Sequence, residues 1–189
     1  MKLTTKVYNL DMAEKFSQDS SLDAVADSTQ KILTLPALPD ASPVYFLVLR
    51  LEDASDQLVG SNFYWLSTKQ ESLDWEKSNW YMTPTASFAD YTALSQLPKV
   101  KLNITSRTQS KGDDTITHVT VENPSKSLAF FVRLKLSKGS GDDEILPVLW
   151  QDNYISLLPG EKRELTATYC TAALGAAKAH IEVAGWNVQ

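Results

Sequence analysis

The side chains that could do chemistry fall into three sets: clustered acids, a sparse histidine–cysteine complement, and a dense run of aromatics. Asp113, Asp114, Asp142, Asp143 and Glu144 crowd two short segments between apolar runs. Paired carboxyl groups can act as acid and base in glycoside hydrolysis when they flank the scissile bond, and clustered carboxylates can ligate calcium. Both groups sit among turn residues, so solvated hairpin loops account for them and no acid/base role is assigned. His118, His180 and the single cysteine, Cys170, lack the ligand spacing of a zinc site. They read as exposed strand histidines and a buried, inert thiol. No Gly-x-Gly-x-x-Gly or P-loop appears, and Gly139-Ser140-Gly141 lacks the strand–nucleophile–helix context of an elbow. The expectation is no catalytic residue, no metal and no cofactor.

The aromatics offer stacking chemistry instead. Residues 62–84 carry three of the five tryptophans, two tyrosines and a phenylalanine. Phe63 and Trp65 alternate with Tyr64 and Leu66, so both faces are apolar, as in a core strand or a seam. Trp75, Trp80 and Tyr81 lie in an irregular stretch interleaved with acids and lysine. Such rings could stack on a pyranose face, where an aromatic gives apolar area with a polar handle. They could equally pack one domain on another, and that reading is favoured. Trp150, with Asp152, Asn153 and Tyr154, could line a cleft rim or make a strand-end turn before Pro159-Gly160. Trp186 is expected to pin the last strand into the core.

The elements that must position these groups are strands. Leu128, Phe130, Val132, Leu134 and Leu136 share one face of a period-2 run, with Arg133 and Lys135 on the other. Similar alternation marks residues 100–105, 118–122, 164–169 and 180–184, with turn signals at Asn123-Pro124, Gly139 and Pro159-Gly160. About seven short strands after Lys99 fit an immunoglobulin-like sandwich, antiparallel because the connections are short. Before that, residues 4–9, 30–35, 44–52 and 58–67 read as strands, too few to close a sandwich, so exposed sheet edges are expected. Ser87 and Asp90 form a capping box ahead of Phe88, Tyr91 and Leu94, predicting a short helix over residues 87–96. The fold class is therefore all-β: two immunoglobulin-like antiparallel β-sandwich units, the first incomplete, joined by a linker with one short helix. The division is 1–81 partial sandwich, 82–98 linker and 99–189 complete sandwich.

Composition narrows the partners. Hydrophobic content of 43% with 22% charge suits a packed globular chain. A net charge of −5, without a basic cluster, argues against nucleic acid. No apolar run reaches membrane-spanning length or forms the core of a signal peptide, so no membrane partner is expected.

In order along the chain, "VYNLD" (7–11), "VYFLVLRLED" (44–53), "SNFYWLS" (61–67), "LDWEKSNWYMTP" (73–84), "FADYTALSQLP" (88–98), "AFFVRLKL" (129–136), "LPVLWQDNYISLLPGE" (146–161) and "VAGWN" (183–187) carry a resemblance. The chain resembles the C-terminal β-sandwich region of glycoside hydrolase family 2, nearest its exo-β-D-glucosaminidase, β-mannosidase-like and mannosylglycoprotein endo-β-mannosidase subgroup. The resemblance implies a parent with sandwich domains around a catalytic (β/α)8 barrel whose two glutamates perform retaining hydrolysis. It implies that this chain is a non-catalytic C-terminal piece whose opening strands precede Met1, and a bacterial periplasmic or secreted parent. The implied partners are the catalytic barrel and N-terminal domains of that parent, with oligosaccharide as a further partner. An independent carbohydrate-binding module using Trp75, Trp80 and Tyr81 is the alternative.

Overall fold

Alternating apolar residues dictate strands almost throughout. A computed structural model of the chain describes residues 1–139 and 143–189; residues 140–142, with Asp142 and the middle of the 139–143 turn, lie outside the described residues. The chain is all-β, with two immunoglobulin-like units, Met1–Leu97 and Pro98–Gln189, the first incomplete.

In the first unit, β1 (Lys2–Asn9), β2 (Glu14–Ser21), β3 (Val44–Glu52) and β4 (Leu58–Ser67) form one antiparallel sheet in the order β2-β1-β3-β4. The two central strands supply its core: Val7, Val44 and Phe46 are fully buried and Val48 nearly so. Across β3 and β4, Val48 faces Phe63 and Phe46 faces Trp65, and the Phe46 and Phe63 rings lie 5.4 Å apart. Such cross-strand pairs are the unit of sheet stabilisation.

The two edges differ in chemistry. β2 is charged, with Lys6 paired to Glu14 at 2.8 Å and Lys2 to Asp19 at 3.4 Å, which blunts an edge. β4 carries no charge and no proline over ten residues. A small ribbon, β5 (Ser72–Leu73) with β6 (Thr85–Ser87), completes the unit's strands.

Three expectations are corrected here. Residues 30–35 are not a strand, and the second strand is residues 14–21. That edge strand buries little, so only Phe16 marked it as apolar. The expected helix over 87–96 is a 3₁₀ turn at Thr92–Gln96. Ser87 belongs to β6, and it is Asp90 whose carboxylate accepts the Thr92 N–H at 2.9 Å and its hydroxyl at 2.7 Å. Trp65 is partly exposed rather than core, because it lies on the edge strand.

In the second unit, β7 (Asn103–Lys111), β8 (Asp114–Glu122), β9 (Ala129–Lys138), β10 (Leu149–Trp150), β11 (Ile155–Leu157), β12 (Lys162–Cys170) and β13 (Ala179–Ala184) make two sheets, β10-β12-β8-β7 and β11-β9-β13. Val119, Val121, Val132, Leu134, Ile155, Leu157 and Leu165 from both sheets form one buried cluster. Thr117 is also buried, its hydroxyl 2.9 Å from the Tyr169 phenol. Buried hydroxyls need such partners.

Three asparagine amides stitch this unit where strand pairing stops. Asn123 donates to the Ser127 and Leu157 carbonyls at 2.8 and 3.0 Å. Asn153 accepts from Leu134 N–H and donates to Leu134 C=O, both at 2.8 Å, behaving as one more residue of a strand. Asn187 accepts the Phe130 N–H at 2.9 Å and donates to Leu128 and Pro98 carbonyls at 2.7 Å each. Val188 then bridges to Val100 in parallel. The last strand is thus pinned by Asn187, while Trp186, expected in that role, is largely exposed. Cys170 is exposed rather than buried: with Leu165, Ala167 and Tyr169 facing the core, alternation turns residue 170 outward.

Candidate functional site

The segment between β5 and β6 is a loop held by its own hydrogen bonds. Asp74 N–H bonds Pro84 C=O at 2.8 Å and Asn79 N–H bonds Met82 C=O at 2.9 Å. The Asn79 side-chain oxygen accepts from Tyr81 and Met82 N–H at 3.2 and 3.1 Å. Ser78 and Thr83 hydroxyls meet at 2.7 Å, and Lys77 reaches Asp74 at 2.7 Å. This turn chemistry leaves the aromatic rings pointing outward: Trp75 is 72%, Trp80 93% and Tyr81 70% exposed. The Trp80 and Tyr81 rings meet edge to face at 5.0 Å. Met82 and Phe88 are exposed beside them in sequence. Taking 150–250 Å² for each aromatic side chain, the exposed rings at 75, 80, 81 and 88 present on the order of 700 Å². A standard protein interface takes about 800 Å² from each partner.

The second set of expected residues divides. Trp150 is half-buried and packs against two hydrophobic clusters of its unit, so its indole is structural. Asn153 spends its amide on Leu134. Asp152 accepts its neighbour's N–H at 2.8 Å and lies 3.9 Å from Arg163, which itself pairs with Glu161 at 3.0 Å. Tyr154 alone of the four presents a ring to solvent, and it does so from a left-handed backbone, φ 55°. Its ring lies 5.2 Å from that of Phe131, which also holds φ 55°. Phe131 was not singled out from the sequence. The available signal was its position off the 128–136 apolar register, where a phenylalanine must face outward.

No group of three or more His, Cys, Asp or Glu side chains placed to hold a metal ion occurs among the described residues. The carboxylates whose pKa is held down lie elsewhere: Asp19 by the Thr4 hydroxyl, Asp90 by the Thr92 N–H, and Glu182 by the Ser137 hydroxyl, then Lys135.

Comparison with known proteins gives these surfaces a setting. Residues 80–188 match the exo-β-D-glucosaminidase Ig-fold domain family. The chain is 40% identical over 189 residues to an exo-β-D-glucosaminidase of Amycolatopsis orientalis, covering 97% of this chain and 18% of that protein. It is 38% identical to the Streptomyces avermitilis exo-β-D-glucosaminidase, covering 98% of this chain and 21% of that one. The crystal structure of Amycolatopsis orientalis exo-chitosanase CsxA superposes with a TM-score of 0.93 at 38% identity, over 99% of this chain and 22% of that chain. A complex of that exo-chitosanase with PNP-β-D-glucosamine matches equally well. The chain spans about a fifth of the length of the curated relatives it matches.

Proposed function

Because the chain belongs to the exo-β-D-glucosaminidase Ig-fold domain family, we propose that it serves as a non-catalytic accessory region of a glycoside hydrolase family 2 exo-glycosidase. The parent would be a retaining β-glucosaminidase, with a β-mannosidase-like specificity as its nearest variant. In it, residues 1–81 form a partial sandwich, 82–98 a linker and 99–189 a complete sandwich that together brace the catalytic barrel and shape one wall of its cleft.

One observation carries this reading: the Trp75–Phe88 segment exposes aromatic surface approaching one partner's share of a standard interface, around a loop held by its own hydrogen bonds. Binding energy in interfaces concentrates in such tryptophan and tyrosine anchors. The test mixes this chain with the remaining four-fifths of the Amycolatopsis relative and measures association. Trp75→Ala and Trp80→Ala should each weaken it at least tenfold while leaving the melting temperature unchanged, since both rings are mostly solvated. Unchanged association refutes the docking role, and turnover of a nitrophenyl β-glucosaminide by this chain alone refutes the non-catalytic one.

The near-complete exposure of Trp80 also favours a second reading, an independent carbohydrate-binding module gripping sugar with Trp75, Trp80 and Tyr81. Calorimetry with oligosaccharides decides: affinity abolished by Trp80→Ala, with the fold intact, selects the module.

A further inference from the structure

We propose that the open half of the first unit's sheet is a seat for β-strands, those of the segment that leads into Met1 in the parent enzyme inferred above. The existence of that segment rests on the parent reading; the seat itself is read from the sheet. Directly paired residues share a face. The register therefore puts Leu3 with Leu51 and Gly60, Thr5 with Leu49 and Asn62, and Val7 with Leu47 and Tyr64. The opposite face carries Phe46 with Trp65 and Val48 with Phe63. β3 is thus apolar on both sides, the mark of a strand with a layer over each.

Over β1 the first of these faces is closed, with Thr5 and Val7 both fully buried. Over β3 and β4 it is open: Leu47, Leu49 and Leu51 are half-buried and Tyr64 is 45% exposed. A hollow of about 300 Å³ lies among Leu3, Leu49, Leu51, Gly60, Ser61 and Asn62. The buried Thr5 hydroxyl on this face has no hydrogen-bond partner among the described residues, whereas buried hydroxyls are nearly always paired.

The backbone says what fills the seat. Gln30 shares a hollow with Met1 and Ser21, and Pro36 shares one with Lys15. Residues 30–36 therefore cover the stretch that β2 covers between Lys15 and Ser21, and are as extended as that strand. Ile32, Leu33 and Leu35 are half-buried there, yet among the described residues no backbone hydrogen bond reaches residues 30–37. An extended run with bare N–H and C=O groups takes a strand as its partner; a sugar or a flat protein face leaves the ladder unmade. Strands added to residues 30–36 supply the second layer that an apolar sheet face needs. Position selects which strands. Met1 and Leu22 exchange two backbone hydrogen bonds at 2.9 Å, so the chain enters the unit two residues from Leu3, at the mouth of the open hollow. A segment joined there is held at high effective concentration, while a second copy must bind from solution.

The test extends this chain at Met1 with the roughly 40 residues that precede the matched span in the Amycolatopsis relative, enough for about three sandwich strands and too few for a catalytic barrel. Amide exchange at Ile32, Leu33 and Leu35 should slow at least tenfold relative to the chain alone, and anilinonaphthalene sulfonate fluorescence, a measure of exposed apolar surface, should fall. Leu49→Lys should abolish both changes in the extended chain while leaving exchange in β1 and β3 of the unextended chain as it is, which shows that the sheet still folds. Leu51→Thr, which keeps a strand-forming side chain, should weaken both changes, so the result does not hang on one tolerated lysine. Unchanged exchange at these amides in the extended chain, or full protection in Leu49→Lys, overturns the seat. A dimer of the unextended chain in sedimentation, split by Leu49→Lys, also overturns it, since a second copy is then the occupant. The extension carries no barrel, so lost association with the rest of the parent, with this protection retained, strikes the accessory role alone.

Discussion

Replacing Asn187 by alanine should be the most damaging single truncation of an amide in the second unit. The side chain is 1% exposed and meets three backbone groups: the Phe130 N–H at 2.9 Å and the Leu128 and Pro98 carbonyls at 2.7 Å each. Leu128 and Phe130 are themselves buried, so two of those groups lose their partner out of reach of water, whereas Pro98 is exposed and can be solvated. An unmet buried polar group costs about 1–3 kcal/mol, giving a loss of about 4 kcal/mol for the pair. Set against the 5–15 kcal/mol typical of a folded domain, that is a large share. For a unit of this size, each 1 kcal/mol moves the melting midpoint by about 4–8 °C. A fall of about 15 °C or more is expected in thermal unfolding followed by circular dichroism. Asn187→Asp should be at least as harmful at neutral pH, because it keeps the acceptor for Phe130 but aims carboxylate oxygens at two carbonyls. A loss under about 1 kcal/mol in Asn187→Ala, the size of an ordinary surface change, would refute the account of Asn187 as the staple of this unit.

Two further outcomes follow from local geometry. Gly185→Ala places a new methyl 2.6 Å from the Val188 side chain and 3.3 Å from the Phe130 carbonyl, so it should lower the melting midpoint by several degrees through overpacking, about 1–3 kcal/mol; an unchanged midpoint contradicts the close approach. Asp90 has its pKa lowered by the Thr92 N–H and hydroxyl, so its contribution is present above the ordinary aspartate range and is lost as pH falls through the depressed value. Amide exchange at Thr92, corrected for intrinsic rates, should therefore rise below the usual carboxylate range in the native chain and stay flat in Asp90→Ala; parallel profiles would remove the cap.

Much of the second unit was legible because its strands bury one face and repeat every second residue. The run from Leu128 to Leu136, and Leu165 to Tyr169, face the core as their spacing demands. Legibility failed where burial is slight or pairing is unusual. β2 has one apolar residue, so no period was there to read. Ser87 and Asp90 satisfy a helix-start pattern, but the β5–β6 ribbon claimed Ser87 and left Asp90 to start a shorter turn. The outward placement of Cys170 was available from its own strand's alternation. Among the aromatics, type and position could not reveal that Tyr154 and Phe131 meet, because their contact arises from a register slip and two left-handed residues. Nor could they separate Trp150, packed under its sheets, from Trp80, which stands in water.

The stitch made by Asn187 also sets a clock. Its amide meets Pro98 across 89 positions of sequence, and Val188 must reach Val100 beside it. During synthesis at about 5–20 residues per second, roughly 4–18 s pass between the two partners leaving the ribosome. Leu128 and Phe130, 59 and 57 positions before Asn187, lack their partner for about 3–12 s of that interval, so the second unit settles only once Asn187 is available, and a nascent chain paused before residue 187 would hold an unsealed sandwich.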